Sequence, residues 1–242
     1  METNCFETFT QYDEKFKELV KLGYNKSSCP MFALITAHDF LEKPNEIGNS
    51  VHEKAVDLGA INYLLSGAEG MITFDQMLTY TNLNAGNVLG TSVQLVVEDV
   101  IGFSQMFNQA VSDPYSVIFL KNAKFFVVNV RPDGYCVRDC HELFQYNFTK
   151  REDLIEHLTK NYNFCEAIQI EGFKSAELDE FNNIEFLVIN KSFEIKLDMS
   201  YIVNGVNDKQ YVDKTDDVEE LLMEESVDEL SEYEEDELEI DL

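Results

Sequence analysis

Between residues 116 and 140 the chain carries three apolar runs, SVIFL (116–120), KFFVVNV (124–130) and GYCVRDC (134–140), separated only by KNA and RPDG. β-Branched and aromatic side chains favour extended backbone, and connections this short join antiparallel neighbours. Pro132 and Gly134 supply turn dihedrals in RPDG. The stretch therefore predicts three consecutive antiparallel strands. Apolar residues on both faces of such strands need covering layers, and the rest of the chain must supply them.

The preceding residues supply helices. Tyr12, Phe16, Leu19 and Val20 fall on one stripe of residues 12–22, which predicts a short amphipathic helix. After GYNKSS comes CPMFALITAHDFLEK, apolar on most sides, with Pro30 suited to a first helical position. This predicts a buried helix of about three turns beginning at residue 30 and ended by Pro44. Residues 51–65 and 73–81 also read as helices, the second capped by Thr73. Residues 88–97 are β-branched and predict a strand, and 98–111 a helix. Beyond residue 140, a loop containing Phe144, Tyr146 and Phe148 is expected, then a helix at 149–161 whose Thr149 and Glu152 would form a capping box. Strands are expected at 165–170 and 184–198. Helices first and antiparallel sheet second make an α+β domain.

Charge divides the chain in two. Its formal net charge is −28, and residues 212–242 hold 16 acidic side chains against the single Lys214. The expected organisation is a folded body at 1–211 and an acidic, disordered C-terminal tail at 212–242. With hydrophobic residues at 45% the body can build an ordinary core. No basic surplus exists to displace counterions from nucleic acid or to hold anionic lipid, so neither is an expected partner. The acidic N-terminal segment lacks the pattern of a signal peptide and no apolar run approaches membrane-spanning length. Five cysteines at irregular spacing, without a CxxC pair, suit a reducing compartment. A soluble intracellular protein is expected.

Chemistry points to Cys29. Immediately before Pro30, it is expected at the N-cap of the buried helix, where orphan amides and the positive end of the macrodipole favour a thiolate. Cysteine is a poor cap by preference, so a small apolar residue at a helix start is the bland alternative. A partner exists in YCVRDCHELF: Asp139 and His141, two apart at the end of a predicted strand, should share one face. The carboxylate would then orient the imidazole, and the ring's other nitrogen would serve the thiol. Cys140 should point to the opposite face and pack. Cys136, Cys140 and His141 lack a second ligand pair at zinc spacing, so no metal or other cofactor is expected. His38, His52 and His157 lie on helices and read as structural or surface residues. No phosphate-binding glycine loop and no HExxH occurs.

A cysteine at the start of a core helix opposite a histidine on a strand is the arrangement of papain-like peptidases. At these residues the chain resembles the viral deubiquitinases of the herpesvirus large-tegument-protein type, with Tyr135-Cys-Val-Arg-Asp139-Cys-His141 matching their aromatic-x-x-x-Asp-x-His motif. FLKNAKFFVVNV resembles the strand leading into that motif, and VDLGAINYLL the intervening helix. CPMFALITAHDFL is also similar to the nucleophile segment of the MINDY deubiquitinases. The resemblance spans roughly residues 20–160. It implies Cys29 as nucleophile, His141 as general base, Asp139 as its orienting residue, and ubiquitin or a ubiquitin-like protein as substrate. Family members carry a glutamine upstream of the nucleophile to stabilise the oxyanion; here Asn25, four residues before Cys29, is the expected donor, and Gln11 is more remote. Lys26-Ser-Ser replaces the glycine-rich approach of several relatives. Abundant Asn, Phe, Tyr, Lys and Glu without Trp suits the AT-rich genome of a large DNA virus, placing the protein in host cytoplasm, nucleus or virion.

Two other functions compete. A catalytically inactive scaffold could dock its acidic tail on a basic protein, with binding that weakens in salt. A cysteine-dependent acyltransferase or amidase would use the same Cys–His pair.

Overall fold

The computed structural model describes residues 4–83 except Ile47, 93–95, 107, 113–162 except 122, and 184–199. The expected helix at 98–111, the strand at 165–170 and the acidic tail lie outside these residues, apart from Phe107.

The predicted strand triplet is present: β3 (Tyr115–Lys121), β4 (Lys124–Arg131) and β5 (Gly134–Arg138) are joined as antiparallel hairpins. They form the middle of a seven-stranded sheet with β1 (Asn4–Glu7), β2 (Val93–Leu95), β6 (Phe144–Phe148) and β7 (Ile184–Ile189), in the order β1-β6-β5-β4-β3-β7-β2. Every pairing is antiparallel. β6 corrects the expected loop: Phe144, Tyr146 and Phe148 recur with period two, and that alternation is a strand signal. β7 stops at Ile189, short of the expected 198, and Ile195 makes only an isolated bridge to Thr81.

Among the described residues, the helices preceding the triplet are α1 (Lys17–Lys21), α2 (Cys29–Glu42), α3 (Asn49–Leu65) and α4 (Phe74–Leu78); α5 (Arg151–Tyr162) lies between β6 and β7. α1 is much shorter than the predicted 12–22. Asp13 accepts from Lys15 N and starts a 3-10 turn at Glu14–Phe16, and Gly23, with φ 98°, ends the helix, so Tyr12 and Val20 stay exposed while Phe16 and Leu19 are buried. α4 has the expected Thr73 cap, reinforced by Gln76. α5 begins at Arg151, so Lys150 flanks it instead of Thr149, and the Glu152 carboxylate pairs with Arg151 at 3.2 Å.

α2 is wrapped on nearly all sides, with Met31 to Ile35 fully buried. α3 crosses it at Gly59, where a Cβ would lie 3.0 Å from the Phe32 amide nitrogen, so the glycine lets the two backbones approach closely without either giving way. α2 covers one face of β3 and β4. On the other face Phe119, Phe126, Val128 and Val137 form a cluster with Leu154, Leu158 and Tyr162 of α5. The sheet is therefore covered on both sides, which is why β4 is apolar on both faces apart from Asn129 and does not read as an alternation. The α+β expectation holds.

Candidate active site

The approach to α2 is built from side-chain hydrogen bonds. Lys26 adopts φ 64°, and the chain turns there into the helix. The N-cap is Ser28, one residue earlier than expected, with Cys29 in the first helical position; the first helical bond runs from Phe32 N to Ser28 O at 3.0 Å. Ser28 does not cap with its hydroxyl, because that group lies 2.7 Å from Tyr24 Oη and donates to Gln11 Oε1 at 3.1 Å. Cys29 is 3% exposed.

The histidine side is a turn. β5 ends at Arg138, so Asp139 and His141 are not joined by strand periodicity as the sequence reading expected. Asp139 Oδ1 instead accepts from the His141 backbone amide at 2.9 Å and from His141 Nδ1 at 2.5 Å, an Asx-type turn that returns the imidazole onto its own carboxylate. Glu142 N closes the turn on Asp139 O at 3.3 Å. Gln145, fully buried on β6, braces it: its Oε1 accepts from Asp139 N at 2.8 Å and its Nε2 donates to the carbonyls of Asp139 and Glu142, both at 2.9 Å. The other oxygen of Asp139 accepts from Tyr162 Oη at 3.0 Å.

With Nδ1 engaged by Asp139, the ring nitrogen left for a partner is Nε2. The Cys29 thiol lies close enough to the His141 ring to act on its titration. The helix start and the turn thus meet as a row of sulfur, imidazole and carboxylate. Burial alone would lower the His141 pKa, but the hydrogen bonds and charges of Asp139 and Cys29 outweigh it and raise the value to about 9. Burial pushes Asp139 up, yet the His141 contacts and the Tyr162 hydroxyl hold it below the usual carboxylate value. His141 and Asp139 are therefore an imidazolium–carboxylate pair at neutral pH. The other histidines contrast with it: burial drives His52 down to about 3 and His157 down to about 4. His38 is half-buried beside Asp39 at 3.2 Å.

Burial, with the charges of Cys29 and Asp139, raises Cys140 well above an ordinary thiol, and burial raises Cys136. Cys140 stays a thiol and donates to Gln11 Oε1 at 3.5 Å, a packing role in keeping with the sequence reading. Asp139, Cys140 and His141 offer an oxygen, a sulfur and a nitrogen within 4.8 Å of one another, but the first and last are already bonded together and the sulfur to Gln11.

Asn25, the expected oxyanion donor, is turned to other partners. Its amide nitrogen donates to Tyr63 Oη and to Glu69 O, both at 2.9 Å, and its oxygen accepts from Ser27 N, so both its N–H groups are engaged in holding the approach loop to α3 and to the loop at 66–70. Gln11, remote in sequence, is the residue at the site. Its backbone amide donates to Cys140 O at 2.9 Å, and its side chain is buried between Ser28 and Cys140. Fold topology alone brings it there: β1 pairs with β6, and Thr8 N continues that pairing to Leu143 O. Sequence reading passed over β1, and without it no local signal places Gln11.

No family model matches the chain, and no curated protein matches it in sequence. In three dimensions it is similar to the ubiquitin-specific protease encoded by a murine cytomegalovirus tegument protein, solved in complex with a ubiquitin-based suicide substrate. The TM-score is 0.56 at 10% sequence identity, over 87% of this chain and 93% of that one. At this identity the likeness is one of fold. No helix among the described residues is long and apolar enough to cross a membrane.

Proposed function

We propose that the chain is a papain-like thiol hydrolase that releases ubiquitin, or a ubiquitin-like protein, from its conjugates. The observation that carries the reading is the hydrogen-bonded His141–Asp139 pair with the Cys29 thiol beside the imidazole, on a fold similar to that of a viral ubiquitin-specific protease.

The chemistry follows from the geometry. The Cys29 sulfur attacks the carbonyl carbon of the scissile amide, forming the S–C bond, while His141 holds the proton. The tetrahedral oxyanion is received by the Cys29 backbone amide, one of the orphan donors of a helix start, and by the Gln11 side-chain amide. His141 then gives its proton to the leaving amine as the C–N bond breaks. The resulting thioester is hydrolysed by water that His141 deprotonates, which restores the thiol and frees a carboxylate. Asp139 keeps the ring in the productive tautomer throughout. The likeness to a protease solved with a ubiquitin-based substrate supports ubiquitin as the acyl group.

A ubiquitin C-terminal electrophile tests the proposal. The protein should gain the mass of one ubiquitin, and Cys29→Ala should gain none. No adduct, with Cys29 inert to a small alkylator as well, would overturn the hydrolase reading and favour the scaffold with an acidic tail.

A further inference from the structure

Nothing in the hydrolytic cycle uses α5, yet its last residue touches the site. Tyr162 packs beneath the sheet, stacked on Phe126 with ring centroids 4.0 Å apart and an interplanar angle of 20°. Its hydroxyl emerges from this packing and donates to Asp139 Oδ2 at 3.0 Å. Gln145 fixes the backbone of the turn, but none of its bonds reaches the carboxylate group itself. The terminal torsion of an aspartate is broad, so a carboxylate held at one oxygen can swing away from its imidazole. Tyr162 holds the second oxygen.

We propose that Tyr162 is a positioning residue of the reaction centre: its hydroxyl locks the plane of the Asp139 carboxylate, so that Oδ1 faces His141 Nδ1 and Nε2 faces Cys29. The stack on Phe126 makes the lock rigid, because the phenol is placed by the core of the α5 face and not by the turn it steadies. This inference rests on the reading of Cys29 and His141 as a catalytic pair.

The test is Tyr162→Phe, which keeps the stack and removes one oxygen. The readout is the pH profile of Cys29 alkylation by iodoacetamide, followed by mass spectrometry of the Cys29 peptide, alongside the melting temperature. A donor to an ionised carboxylate favours the charged form, so its removal makes Asp139 easier to protonate. The acid limb of the profile should move to higher pH, and labelling near that limb should fall about tenfold. A profile that overlays the parent's, whether or not the melting temperature falls, would reduce Tyr162 to a packing residue and overturn the inference. Failure of the underlying reading looks different: in the parent itself, Cys29 labelling would be unaffected by His141→Ala.

Discussion

The two halves of the candidate site are placed by different physics. Cys29 stands at the first position of a fourteen-residue helix buried on nearly all sides, so its direction is set by a rigid element. His141 stands on a turn whose geometry comes from side chains: the Asp139 carboxylate, the Gln145 amide and the Tyr162 phenol, brought from β6 and α5. A helix start tolerates change nearby because its backbone bonds are many and cooperative. A turn held by three buried polar side chains is intolerant, since each lost partner strands a buried donor or acceptor at about 1–3 kcal/mol. The nucleophile should therefore be sensitive only to its own replacement, and the base to the replacement of its neighbours.

The largest effect belongs to the sulfur. Cys29→Ala should abolish ubiquitin-probe labelling while leaving the melting temperature near the parent value, because a small apolar residue still fits that buried position. A loss of fold in this variant would break the claim that the helix start is robust. Asp139→Asn should follow, lowering turnover of a fluorogenic ubiquitin substrate by roughly 10³–10⁴-fold, since an amide in place of the carboxylate favours the wrong imidazole tautomer. If the loss were under tenfold, the turn would not be what orients the base.

The third comparison is between two amides. Gln11→Ala should cost on the order of 10²–10³ in turnover, the usual price of one oxyanion donor. Asn25→Ala should change turnover only a few-fold and act mainly on stability, by about 1 kcal/mol per lost hydrogen bond, read by urea titration. The reverse ranking would restore Asn25 to the role its sequence position suggested.

These residues also mark where the sequence was legible. Cys29, Asp139 and His141 stood out as candidates because helix starts and Asp-x-His spacing are local patterns, and the strand triplet because its connectors are three or four residues long. The agreement on Asp139 and His141 came through a different geometry: proximity of two residues is common to a strand end and an Asx turn. What escaped was non-local. β1 becomes a strand by pairing with β6, about 140 residues away in the chain, and neither strand has the apolar run that announced β3 and β4. Gln11 follows from β1, and Tyr162 from the docking of α5 on Phe126. A side chain placed by tertiary packing leaves no spacing to read.

The smallest effect tests whether the His141 pairing contributes to the fold as well as to chemistry. Its pKa rises from 6.5 to about 9 on folding. The folded state thus binds the proton more tightly, and the stabilisation is fully present below about pH 6.5 and lost as pH rises through about 9. The ceiling is about 3 kcal/mol, spread over the whole interval. Lys121 works in the opposite sense. Burial lowers its pKa to about 8, so the penalty of holding its charge is relieved as pH rises through that value. The parent's stability curve alone would mix the two. Urea titrations at pH 6.5 and 9.5 on parent and His141→Gln separate them, because Lys121 is common to both. The parent should lose more stability than the variant between the two pH values. Equal losses would mean that the Cys29–His141–Asp139 row is held up by the surrounding fold without stabilising it in return, and the turn would then owe its geometry to Gln145 and Tyr162 alone.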